Sequence, residues 1–207
     1  MSSYPVQRYP SPRPALSLEE FIDFYATAEK YDYVDDHLET RATYAEYCLW
    51  ILREPKRWLL DRLTLAEVAN VLHSMPTPTG DARLPLELRL DMARADIHVF
   101  KEVFEPLVGF STEDGAAQLE SVCFMWWDNC AYEDPVFAEI FRAEADALLW
   151  SSNPAVRESA LHGLGHHIFI TQDIEAIKLI DDYLSTAQEL KSKEVKYAED
   201  ARRGNVL

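Results

Sequence analysis

The chain has 207 residues, 48% of them apolar and 12% aromatic, with a formal net charge of −16. That apolar share is enough for a sizeable buried core and excludes a natively disordered chain. The charge argues against a binder of nucleic-acid phosphates or of an anionic membrane surface, and fits either simple solubility or a basic partner.

Residues 1–16 carry Pro5, Pro10, Pro12 and Pro14 and read as a flexible Pro-rich arm, with Tyr4 and Tyr9 as candidate anchors to the body or to a partner. This opening lacks the apolar core of a signal peptide, so export by that route is not expected. Ser17 and Glu20 have the spacing of a capping box and predict a first helix to about Lys30. A second helix is predicted from about Asp35 to Arg53, stopped by Pro55. Thr64 and Glu67 form another capping box, opening a short helix to about His73. Met75 to Gly80 reads as a loop, and a sub-boundary is expected near residues 75–85.

A helix from about Leu86 to Phe104 is predicted to end at Pro106. Ser111 or Thr112 is expected to cap the next helix, running to about Asn129. Its segment Val122 to Trp127 is apolar on every side, which predicts burial. Asp134-Pro135 and Asn153-Pro154 repeat one start signal, a capping side chain followed by proline at the first helical position. The two helices they open, joined by Ser151-Ser152, predict a helical hairpin. A further helix is expected from Gln172 or Asp173, with Ile174, Ile177, Ile180 and Leu184 on one stripe. Ala187 to Arg203 is charged and weakly periodic, and reads as an exposed helix fading into a tail at 204–207. No alternating pattern with hairpin turns occurs, so no sheet is predicted. No run approaches 18 uncharged apolar residues, so no membrane span is predicted either.

The stretch Asn153 to His166 carries the one architectural motif. Val156, Ala160, Leu161 and Leu164 share a helical face, and Gly163 and Gly165 interrupt it. A glycine inside a helix costs roughly 1 kcal/mol against alanine, so a close neighbour or a helix end is expected there. Asn-Pro, then Val-Arg, a small residue, and Gly163-Leu164-Gly165 resemble the second helix of a HEAT-type repeat. The resemblance covers about one repeat, residues 134–167. In that family the Asn or Asp and the Arg tie neighbouring repeats together, which implies the same for Asn153 and Arg157; Gly163 departs from the usual alanine. The segment Glu158 to His166 is also similar to one in uncharacterised bacterial proteins, which offer no activity to transfer. The implied fold is all-α, about eight helices in hairpins stacked as a HEAT-like, α-solenoid-type bundle. One helical domain is expected over residues 17–203.

The one metal candidate is Glu158, His162 and His166, spaced i, i+4, i+8 on one helix. Without the glutamate of His-Glu-x-x-His the pair lacks a zinc hydrolase's general base, and no further ligand is evident. A structural or solvent-facing role is therefore preferred, and no metal or cofactor is assigned. The acidic pairs Asp35-Asp36, Glu133-Asp134 and Asp181-Asp182 read as solvated surface, with Asp134 as a helix cap. Cys48, Cys123 and Cys130 are odd in number, lack Cys-x-x-Cys spacing and read as buried thiols in a reducing cytoplasm. No nucleophile elbow or phosphate-binding glycine loop is present. Helical-repeat DNA glycosylases need a basic concave face, which this acidic chain does not supply. The resulting expectation is a non-catalytic protein-binding module for a basic partner, for example an immunity- or antitoxin-like inhibitor of a basic toxin domain. A metal-dependent enzyme using the histidine pair and a purely structural subunit are the alternatives.

Overall fold

The computed structural model describes residues 16–27, 38–75, 78–129, 134–186 and 191–206. The N-terminal arm up to residue 15, Cys130, Glu133 and the pair Asp35-Asp36 lie outside the described residues. The described residues form ten α-helical segments and no strand: α1 (Leu18–Thr27), α2 (Leu38–Arg53), α3 (Leu65–Ser74), α4 (Leu86–Val99), α5 (Glu105–Leu107), α6 (Ala116–Phe124), α7 (Pro135–Leu149), α8 (Pro154–Thr171), α9 (Ile174–Thr186) and α10 (Ser192–Arg202). Among these, no helix is long and apolar enough to cross a membrane.

The start signals act as local chemistry requires. Thr64 and Glu67 make a reciprocal capping box, and Ser17 and Glu20 exchange the same two hydrogen bonds. The Asp134 and Asn153 side chains accept from Val136 N and Ala155 N. Three expected boundaries move. A π turn over Phe100–Phe104 carries the helical course past Pro106 into α5, which ends at Leu107, with Gly109 at φ 74° in the turn beyond. The helix expected from Ser111 starts later, because Gly115 lies against the backbone of Leu65 and Ala66 with φ 89°, a place no side chain can occupy. That helix also stops at Phe124, and Trp126–Asn129 forms a separate 3-10 turn.

The helices stack in two rows. One row runs α1, α3, α6, α8, α10, each touching the next, and the other runs α2, α4, α7, α9. Hairpin contacts α7–α8, α8–α9 and α9–α10 join the rows. A single hydrophobic cluster runs through both sides of the loop at 75–85. Trp126 and Trp127 are buried as expected, while Met125 between α6 and the turn faces solvent. The C-terminal stretch departs furthest from expectation. Instead of fading into solvent, α10 packs on α8 and α9 with Ala198 and Ala201 fully buried, and Val206 is buried beyond it. On α9, Ile180 is buried but Ile174 is exposed.

Two carboxyl groups sit inside this core, Asp96 on α4 and Glu144 on α7. Burial raises both well above the ordinary carboxylate range; a hydrogen bond from Trp126 partly offsets this for Asp96, and the charge of Asp96 raises Glu144 further. The folded state therefore binds protons that unfolded carboxyls release near pH ~4. The sign follows: this contribution is fully present below that pH and is lost as pH rises through the folded values. Thermal unfolding of Glu144→Gln and Asp96→Asn across pH is expected to show a flatter alkaline loss of stability than wild type. Parallel curves would show that these acids do not titrate with folding.

Candidate functional site

Helix α8 has the most buried residues of any helix among the described residues, with Val156, Ser159 to Gly165, His167 and Ile168 all inside. Its two glycines explain how this is possible. A Cβ at Gly163 would stand 2.5 Å from Trp127 Cγ, and one at Gly165 would stand 2.4 Å from Val206 and 3.2 Å from Ala201 Cα. Trp127 thus lies directly on the α8 backbone, stacked on Phe100 and donating its indole N–H to Ser159 Oγ.

The N-terminal end of α8 is tied in both directions. Asn153 Nδ2 donates to the carbonyls of Glu105 and Val108 at 3.0 and 2.9 Å, holding α8 to the end of α5. Arg157 forks onto Glu194 of α10 at 2.6 and 3.1 Å and donates to the Ser151 carbonyl. The far end is held by Asp173, which accepts from Arg142 of α7 and pairs with His167 at 2.9 Å. Burial opposes ionisation of Asp173, but these partners hold it down at about 2.

Placing Trp127 on Gly163 brings the next residue, Asp128, over the following turn of α8. There it meets the histidine pair. Asp128 Oδ1 lies 3.3 Å from His162 Nε2 and 3.5 Å from His166 Nε2, and the two Nε2 atoms are 3.2 Å apart. The other nitrogen of His162, Nδ1, is hydrogen-bonded to the Tyr197 hydroxyl of α10 at 2.9 Å. Phe124 covers the His162 ring at 4.2 Å between centroids. His162 is buried, not solvent-facing, and its side chain is only 5% exposed, whereas those of His166 and Asp128 are 18% and 27% exposed. Burial, followed by the charge of His166, lowers the pKa of His162, while Asp128 and Glu158 act in the opposite sense.

The group therefore differs from the one expected along the helix. Glu158 is not its third member. Its carboxylate lies 3.6 Å from Lys193 Nζ, and it lines a separate cavity of about 190 Å³ with Pro154, Leu161, Lys191, Glu194 and Tyr197. A second element does supply a ligand type: Asp128, 34 residues before His162. The only trace of this in the sequence is the polar Asp128-Asn129 that ends an apolar run. The other acidic pair in view is ordinary surface, since Asp181 pairs with Arg202 and Asp182 is exposed. Cys48 and Cys123 are buried free thiols, both pushed up to about 12 by burial, which makes them poor nucleophiles.

The surface carries a second feature. Phe169, Ile170 and Ile174, at the α8–α9 turn, are 60%, 49% and 76% exposed. Comparison with family models, with curated proteins and with solved structures found no match.

Gly163→Ala is expected to lower stability by about 1–3 kcal/mol, because the Trp127 ring base cannot yield, and this outweighs a helix-propensity gain of about 1 kcal/mol. Gly165→Ala is expected to cost less, since Val206 is a movable side chain near the chain end. Urea denaturation of both variants checks the order, and a Gly163→Ala protein as stable as wild type would contradict the packing argument.

Proposed function

We propose that this protein is a non-catalytic binding module that holds a basic protein partner. The observation that carries the reading is the exposed apolar trio Phe169, Ile170 and Ile174, clustered at the turn from the largely buried α8 into α9. Large apolar side chains of this kind serve as interface anchors. The sign of the partner follows from charge. Many of the chain's cations are engaged internally, as in Arg41–Asp81, Arg53–Asp91, Arg142–Asp173, Arg157–Glu194 and Arg202–Asp181. Exposed carboxylates such as Glu46, Glu87, Glu113, Asp114, Glu120 and Glu139 then present the surplus behind the net charge of −16. Such a field steers a basic partner inward and repels an acidic one.

The narrower form is an immunity- or antitoxin-like inhibitor that covers a basic toxin domain in a reducing cytoplasm; the buried free thiols Cys48 and Cys123 fit that compartment. The metal-dependent enzyme reading is not favoured, because Glu158, the one acid expected beside the histidines, is turned to Lys193.

The test is affinity capture from the native cell extract with wild type and with a triple Phe169→Ser, Ile170→Ser, Ile174→Ser variant, at low and at raised salt. A basic protein that is retained by wild type, lost by the variant and weakened by salt is the expected result. Retention of the same proteins by both forms, or of acidic proteins only, would overturn the reading.

A further inference from the structure

We propose that Asp128, His162 and His166 bind one divalent transition-metal ion of the zinc class. The inference rests on this trio alone and is independent of the docking surface. Its first support is metric. A tetrahedral ion with nitrogen and oxygen bonds of about 2.0–2.1 Å holds its ligand atoms about 3.3–3.4 Å apart. The three candidate atoms form a triangle with sides of 3.2, 3.3 and 3.5 Å, close to one face of that tetrahedron. Two imidazoles and one carboxylate are a donor set that suits zinc and its borderline neighbours better than magnesium or calcium.

The second support is the way each ligand is held. His162 and His166 stand one turn apart in the buried middle of α8, where residues 159–165 are all buried, so their spacing is rigid. The Tyr197 hydroxyl engages His162 Nδ1 and orients the ring; with the Nδ1 proton donated to that oxygen, the Nε2 lone pair is left for a cation. Tyr197 is thus a positioning residue, on a helix that contributes no ligand. Asp128 follows Trp127, whose indole is locked between Gly163 and Phe100. The partly exposed side chains are Asp128 and His166, so the fourth position faces solvent and takes a water. An ion here would fasten the 126–129 turn to α8, and through Tyr197 it would be linked to α10.

The competing account is a trio joined by hydrogen bonds alone. To separate the two, the full chain is stripped with chelator and titrated with Zn²⁺ by calorimetry and with Co²⁺ by visible absorption. Excess Mg²⁺ occupies the acidic surface. One equivalent is expected to bind, with cobalt absorption of tetrahedral intensity and no thiolate charge-transfer band. Asp128→Asn and His166→Ala, checked for folding by circular dichroism, are expected to weaken binding by more than the roughly 10–100-fold that loss of an outer-shell partner costs. Tyr197→Phe should fall within that 10–100-fold range, and Glu158→Gln should bind as wild type. The partly exposed ligands are chosen for mutation because a change at buried His162 could unfold the chain. Zn²⁺ should also raise the melting temperature of wild type in a concentration-dependent way, and of His166→Ala far less. No stoichiometric binding by folded wild type would overturn the proposal, as would unchanged affinity in both ligand variants or a thiolate band.

Discussion

The arrangement depends on how closely two neighbours approach the backbone of α8. Hydrogen in place of a side chain at Gly163 lets Trp127 lie on one flank, and at Gly165 it lets Val206 and Ala201 close on the other. A helix approached this closely becomes the axis of the stack, touching α6, α7, α9 and α10. Its ends are then fixed by polar ties, Asn153 and Arg157 at one and the His167–Asp173–Arg142 group at the other. Asn153 and His167 are buried, Arg157, Asp173 and Arg142 are partly buried, and each finds a partner, which is the condition for burying polar groups at all.

Packing and chemistry are coupled at this helix. Trp127 reaches α8 because of a glycine, and its neighbour Asp128 arrives at the histidines as a consequence. The same core shows a different solution to a buried polar group at Asp96 and Glu144. There burial favours the protonated form of both acids. At the histidines, two ring nitrogens and a carboxylate converge, an arrangement that favours a positive ion at the centre.

The outer surface follows another logic. Acidic residues outnumber basic ones 36 to 20, so with arginines such as Arg41, Arg142 and Arg157 paired to carboxylates the body still carries a negative field. Individual exposed pairs contribute about 0–1 kcal/mol each, so their value to folding is small. The field acts at longer range, over the roughly 8–10 Å of the Debye length, and bears on what approaches the protein.

What the sequence determined by itself is where the chain coils. Ser17 with Glu20, Thr64 with Glu67, Asp134-Pro135 and Asn153-Pro154 announce helix starts because capping involves atoms within three residues. The spacing of His162 and His166 was legible for the same reason, since helical periodicity places them on one face. The close approach at Gly163 and Gly165 was also foreshadowed, though not the identity of the neighbours. Tertiary structure alone decided those neighbours. It put Asp128 rather than Glu158 beside the histidines, delayed α6 to Gly115, turned Ile174 outward and docked α10 through Ala198 and Ala201. Small residues send almost no hydrophobic signal, and a periodic pattern says that a helix has faces without saying what each one meets. Those contacts join residues tens of positions apart, and only the packing of helix on helix brings them within bonding distance.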